Sequence, residues 1–306
     1  MSVSPPPRVT IALCTRNGAA HLGAQLDSYV AQTHGDWDLW VSDDGSDDAT
    51  RDILETFARN HGAGRTIRII DGPQQGVAAN FLSLLCHPDL PAQPVALSDQ
   101  DDVWLPEKLA LGLRDLGGAA PCLYGAQSVH VDEDLTPIGH SLGGGTAGFG
   151  NALVQNIVSG HSAMMNAAAL ALVRAAGVPG GIPYHDWWLY QLISGAGGHV
   201  IVRPDKVLLY RQHGTNTMGS HQGTRALLTR LGQLLGTTFG GWVAANTTAL
   251  RRCETVLNPS ARTVLSDLQS HKRGPARLRV FRRHGITRQG RLGTAALYLA
   301  VLLGRV

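Results

Sequence analysis

Apolar residues fill positions 9–14 almost without interruption, then recur at Leu22, Leu26, Tyr29 and Val30 with helical spacing. That alternation repeats along the first hundred residues. Strands are predicted over 9–14, 37–42, 67–70 and 95–97. Helices are predicted over about 19–32, 48–60, 77–85 and 106–116, with Pro106 suited to a first turn. Strand alternating with helix predicts an α/β, doubly wound, mostly parallel sheet with flanking helices. In such sheets ligands bind in loops at the C-terminal ends of strands. The second half is less regular. Strands are expected over 122–126, 128–131, 199–202 and 207–210, and helices over 167–176 and 185–194. A Gly-rich loop is expected over 142–150, and from about Thr224 the pattern is helical, with breaks near Asn258 and Gly274. A soft boundary near 219–223 divides the chain into 1–219 and a helical C-terminal extension, 220–306.

Composition adds little to this picture, and charge adds more. The chain has 306 residues, 43% of them hydrophobic, enough for one large domain with a buried core and an appendage. Cys14, Cys86, Cys122 and Cys253 form no CxxC pair, which fits a reducing cytoplasm. Residues 1–7 lack a charged-then-apolar signal pattern, so secretion is not expected. Residues 272–306 hold nine Lys or Arg and no Asp or Glu. The other 17 basic residues face all 23 acidic ones, so the body is acidic and the tail basic. Within the tail, Leu292 to Leu303 is a mostly apolar run, shorter than the roughly 20 residues of a spanning helix. A basic, apolar tail points to an anionic membrane surface; a helix packed on the domain is the other reading.

Three loops after predicted strands carry the chemistry. Asp99, Asp101 and Asp102 lie within four residues, where carboxylates repel unless a cation neutralises them. Hard oxygen ligands suit Mg²⁺ or Mn²⁺ bridging to phosphate. A turn with helix caps explains an isolated D-x-D equally well, and Asp102 reads as such a cap. Upstream stands Asp43-Asp44-Gly45-Ser46-Asp47-Asp48. Gly45 permits a tight turn and Ser46 or Asp47 can cap the next helix, which leaves Asp43 and Asp44 without a structural task. A carboxylate there can accept the imide N–H of a uracil or thymine ring. Thr15, Arg16 and Asn17 can line the same pocket.

Taken together these segments resemble family-2 glycosyltransferases of the GT-A fold. The matching pieces are Ile11 to Asn17, Val41 to Thr50, Gly76 to Phe81 (including Asn80), and Leu97 to Trp104 (including Gln100). The resemblance extends to about Gly219 and implies a nucleotide-sugar half over about 8–126 and an acceptor half over 127–219. It implies nucleoside contacts from Thr15, Asn17 and Asp44, with Asp43 nearby. It implies ribose and metal roles for Asp99 and Asp101, with Asp101 the direct ligand. His185-Asp186-Trp187-Trp188-Leu189 and Tyr210 to Asn216 are similar to rhamnosyltransferase-like members, which build bacterial surface polysaccharides. That similarity implies Asp186 as general base and His213 as a metal ligand. The family's usual Glu-Asp pair is His185-Asp186 here, which leaves His185 without an assigned role. Gly160 and His161 fall where relatives place a loop near donor and acceptor. Of Trp187 and Trp188, one is expected to stack on sugar, here taken as Trp187, and one to pack in the core.

The implied reaction is inverting transfer of one sugar from a dTDP- or UDP-sugar donor, and the resemblance to rhamnosyltransferases suggests L-rhamnose from a dTDP donor. The acceptor is a hydroxyl of a glycan or polyprenyl-linked glycan. The expected place is the cytoplasm, at the inner face of the plasma membrane. A nucleotidyltransferase would want a Gly-rich phosphate loop with a basic residue, of which 15–20 is a poor version. A non-catalytic nucleotide-sugar or glycan-binding protein would not need the full acidic set. No G-x-G-x-x-G follows the first strand, against a dinucleotide dehydrogenase. The acidic body argues against a nucleic-acid partner.

Overall fold

A computed structural model describes residues 6–141, 144–212 and 236–306. The 219–223 boundary, His213 and part of the Gly-rich loop lie outside the described residues. The first half follows the sequence pattern closely. Val9–Thr15 (β1) and Trp37–Asp43 (β2) are buried at every position, as unbroken apolar runs in a parallel sheet should be. Ile67–Asp71 (β3) and Val95–Ser98 (β4) complete a parallel set in the order β3-β2-β1-β4. Helices Leu22–Val30 (α1), Thr50–His61 (α2) and Val77–Leu85 (α3) connect these strands. Chain order reverses between β1 and β4, so a crevice opens there at the strands' C-terminal ends.

Beyond β4 the sheet turns partly antiparallel. Val103–Trp104 (β5) pairs antiparallel with the late strand His199–Arg211 (β9), which turns the chain back straight after the acidic loop. Met164–Met165 (β8) bridges β4 to Cys122–Val131 (β6), antiparallel to both. Pro137–His140 (β7) hangs on β6. The two strands expected over 122–131 are one strand with register shifts around Gly125 and Gln127. Those irregularities break the alternation that periodicity relies on. Likewise 199–202 and 207–210 are one strand, read as two because Arg203, Pro204 and Asp205 interrupt its apolar pattern.

Lys108–Asp115 (α4) follows β5, and Phe149–Ala152 (α5), Ala167–Ala176 (α6) and His185–Gly195 (α7) follow later. Helix α7 is buried on nearly every side, because it is covered on its outer side as well. The cover comes from Thr237–Arg252 (α8), Pro259–Ser270 (α9), Gly274–Arg283 (α10) and Arg291–Leu302 (α11). Asn258 caps α9 by accepting the Ala261 N–H at 2.8 Å, which explains the break seen there. Phe239, Leu250, Leu265, Phe281 and Leu297 join Leu153, Trp188 and Leu189 in one continuous core.

Candidate functional site

The loops leaving β1, β2 and β4 are knitted together by their own polar side chains. Asp43 accepts from Thr15 Oγ1 at 3.0 Å, Ser46 Oγ at 2.5 Å and Arg51 Nε at 2.9 Å. Burial pushes the Asp43 carboxyl up, but the bonds from Ser46, Arg51 and Thr15 outweigh it and hold it below the usual carboxylate range. Asp44 accepts the backbone N–H of Gln74 at 2.5 Å and of Gly76 at 3.1 Å, fixing the turn into α3. Both carboxylates therefore have the structural tasks that the sequence reading denied them. Neither Ser46 nor Asp47 caps α2, whose N-cap position is Ala49; Asp48 just ahead of it accepts the Thr50 N–H at 2.9 Å. Asn17 takes a left-handed φ of 51° and accepts the Asp47 N–H at 2.9 Å.

Gln100 clasps the first loop from the other side. Its amide accepts the Arg16 N–H at 2.8 Å and donates to the Arg16 carbonyl at 3.0 Å. This leaves the Arg16 side chain exposed beside the acidic loop. A Cβ on Gly18 would stand 2.5 Å from Gln100 Oε1, so only glycine allows the clasp to close. Asn80, expected to touch substrate, is 2% exposed and fully engaged with β2. It accepts from Ser42 Oγ at 2.5 Å and donates to the Ser42 carbonyl at 3.0 Å. Trp187 also departs from expectation. It is 3% exposed, donates Nε1–H to the Ala152 carbonyl at 2.6 Å and stacks on Phe239. Trp188 is buried too, so neither indole faces a sugar. Packing by α8 on the outer side of α7 removed the exposed face that the sequence reading assumed.

The acidic loop converges on a histidine and a lysine. Ligand atoms of Asp99, Asp102 and His161 lie within 4.8 Å of one another. Asp101, the expected direct ligand, is outside that set, and its carbonyl accepts from Arg211 Nε at 3.2 Å. Asp102 caps no helix, since β5 intervenes before α4. Both its carboxylate oxygens and His161 Nε2 are buried, and no donor or acceptor meets them in good hydrogen-bond geometry. Burial, then Asp101 and Asp99, raise the Asp102 carboxyl well above its ordinary value, and the Arg211 backbone N–H eases this only weakly. Burial, then Asp101 and Asp186, raise the Asp99 carboxyl to about 7. The His161 ring stacks on Tyr210 with centroids 4.5 Å apart. Burial, then Lys108, lowers it to about 3, so it stays neutral and able to bind a cation. Buried, unsatisfied oxygens beside a neutral imidazole suit a hard divalent ion.

Lys108 was missed in the sequence. Its side chain is fully buried, donates Nζ–H to the His161 carbonyl at 2.5 Å and lies over the Trp104 ring at 3.4 Å. It interacts with both Asp102 and Asp99, although burial outweighs them and depresses its own basicity. A signal existed: Lys108 shares the buried stripe of Leu109 and Gly112 directly after three carboxylates.

Asp186 opens α7 and reaches the same turn. Its Oδ2 accepts the Gly160 N–H at 3.0 Å, and its Oδ1 accepts the Trp187 N–H at 2.6 Å. Lone pairs remain on both oxygens for a hydroxyl. His185 turns inward and stacks on Phe81 at 4.0 Å. A Cβ on Gly160 would meet the His185 ring at 2.7 Å, so glycine lets the turn lie against this helix. The loops that carry Thr15, Arg16, Asn17, Asp43, Asp44 and Gln100 are thus tied to one another, with Thr15, Asp43 and Asp44 themselves buried, and Asp99, His161, Gly160 and Asp186 cluster beside them.

Comparisons with known proteins give the family and the fold. The family model described as Glycosyl transferase family 2 matches residues 10–172. The dTDP-rhamnosyl transferase RfbG of Shigella flexneri is 25% identical over 235 residues, covering 72% of this chain and 78% of that protein. TarS 1–349 of S. aureus, solved in complex with UDP-GlcNAc, superposes with a TM-score of 0.55 at 13% identity, over 91% of this chain and 90% of that one. The mannosyltransferase PcManGT from Pyrobaculum calidifontis, solved with GDP-Man and Mn²⁺, gives 0.55 at 18% identity, over 99% and 88%. At these identities the two structures speak for the fold alone.

Proposed function

Because the chain belongs to glycosyl transferase family 2, we propose that it moves one sugar, with inversion, from a nucleotide-sugar donor to an acceptor hydroxyl. The favoured donor is dTDP-L-rhamnose, supported by the rhamnosyltransferase relative and the matching His185 and Tyr210 motifs. The acceptor is a glycan or polyprenyl-linked glycan of bacterial surface polysaccharide synthesis. One observation carries the reading. Asp186 and the acidic loop, far apart in sequence, meet across the Gly160–Ser162 turn: Asp186 holds Gly160, and His161 faces Asp99 and Asp102.

In this reading Asp186 removes the proton of the acceptor hydroxyl as its oxygen attacks the anomeric carbon. The bond from that carbon to the diphosphate breaks on the opposite face. Asp186 stays fixed because Gly160 and Trp187 hold its carboxylate, so it is aimed before substrate arrives. The Thr15–Asn17 and Asp43–Asp44 loops receive the nucleoside, and the exposed Arg16 guanidinium faces the phosphates. Mg²⁺ or Mn²⁺ would neutralise charge growing on the leaving diphosphate. Asp99, Asp102 and His161 are the residues that would hold it, with Asp101 beside them, and His213 is a further ligand on motif grounds. A thermal-shift panel of nucleotide sugars, with Mn²⁺ and with chelator, tests this. The reading expects metal-dependent stabilisation by dTDP-rhamnose above UDP- and GDP-sugars. No response to any nucleotide sugar would overturn it.

A further inference from the structure

The C-terminal helix α11 is two-faced. Leu297, Ala300 and Val301 are fully buried in the core. Leu292, Ala295, Leu299, Leu302 and the following Leu303 are exposed, Leu292 by 84% and Leu303 by 60%. At about 100° per residue these five positions span an arc of roughly 100° opposite the buried face. Single exposed leucines are ordinary, but a stripe about three turns long and this narrow is not.

The charges around the stripe are of one sign. Arg291 precedes Leu292 and Arg305 follows Leu303. The Arg282 guanidinium lies over the Tyr298 ring at 5.8 Å. Arg288 and Arg291 join Thr294, Ala295 and Tyr298 around a groove of about 520 Å³ that opens at the edge of the stripe. No Asp or Glu occurs from 272 to 306. Among the described residues no helix is long and apolar enough to cross a membrane.

We propose that this face docks on an anionic lipid bilayer, the leucines entering the acyl boundary and the arginines meeting lipid phosphates. A narrow apolar stripe with a cationic rim matches what an interfacial helix needs. Each arginine at such a surface adds electrostatic attraction that salt screens. A protein partner would have to be as strongly acidic as the bilayer is anionic.

The dock is also bolted to the candidate site. Arg288 Nη1–H donates to the Val154 carbonyl at 2.7 Å, the Gln289 N–H to Gln155 Oε1 at 2.7 Å, and Asn151 Nδ2–H to the Thr287 carbonyl at 2.9 Å. Residues 151–155 lead into the turn that carries Gly160 and His161. Presentation of a lipid-carried acceptor follows from this link and rests on the transfer reading; bilayer binding itself does not.

Flotation of the full chain with phosphatidylglycerol and with phosphatidylcholine vesicles, without donor, tests the dock. The wild type should float with phosphatidylglycerol, less with phosphatidylcholine, and less as salt rises. Leu292→Glu/Leu299→Glu and Arg282→Glu/Arg291→Glu should each bind at least about tenfold more weakly. Unchanged melting temperatures would show both variants folded, as their exposure leads one to expect. Failure of the wild type to float, or equal flotation of the leucine variant, overturns the dock. So does a wild-type dimer that the leucine variant splits, because the stripe would then join copies of this chain.

Discussion

Lys108 Nζ donates to the His161 carbonyl oxygen at 2.5 Å, so a buried ammonium ties the helix after the acidic loop to the turn that faces it. The same ammonium acts on Asp102 and Asp99. It lies beneath the loop, close enough to oppose in part the rise that burial causes in both carboxyls. Lys108→Met leaves the buried His161 carbonyl without its donor and should therefore cost about 1–3 kcal/mol. Urea unfolding measures this. A variant of wild-type stability would mean that Lys108 merely fills space.

Trp187 and Asn80 should behave as packing residues. Trp187→Ala is expected to lose about 3–5 kcal/mol of stability and to leave the KM for donor near wild type. Asn80→Ala leaves Ser42 without its partner and should cost about 1–3 kcal/mol. Denaturant unfolding beside a donor titration separates stability from binding. A raised KM with unaltered stability would return either residue to the substrate.

Asp99 predicts a pH trend in chelator. Its folded value, about 7, lies above the ordinary 3.8 of a free carboxyl. The unfolded chain then binds fewer protons between those values, so stability is full below about 3.8 and falls as pH rises through about 7. Asp99→Asn should remove that fall, by about a few degrees of melting temperature. Parallel wild-type and variant curves across this window would contradict the assignment.

His161 and Asp102 should matter for metal. With dTDP present, His161→Ala and Asp102→Asn are each expected to weaken Mn²⁺ binding by roughly tenfold or more. Calorimetric titration reads it directly. Mn²⁺ affinity indifferent to both changes would leave Asp101 and residues outside the cluster as the ligands.

The first half of the fold could be read from sequence because its strands are buried on both faces and its helices carry one apolar stripe. β8 could not, since two residues, Met164 and Met165, have no period. Nor could the continuity of β6, where irregularities at Gly125 and Gln127 scramble the alternation. Within the site, Asp99 drew notice as one of three crowded carboxylates after a strand, whereas Asp186 and His161 were reached through the family resemblance. Asp43 and Asp44 looked unemployed because, Ser46 apart, partners such as Arg51 and the Gln74 and Gly76 amides lie 8 to 32 residues away. Trp187 was misjudged because α8, which covers it, shares no local pattern with α7. Lys108 was overlooked because a lysine in a helix reads as solvated unless its face is traced.

The account stands most directly on Asp186 as the base. Transfer from radiolabelled nucleotide sugar by Asp186→Asn, compared with donor binding by the same protein, is the measurement to make. Asparagine can keep the Gly160 N–H bond through its one amide oxygen while giving up the Trp187 one, so the turn and donor affinity should survive. Turnover should fall by about 10²–10⁴-fold. Near wild-type transfer by a variant that binds donor normally would show that the proton goes elsewhere.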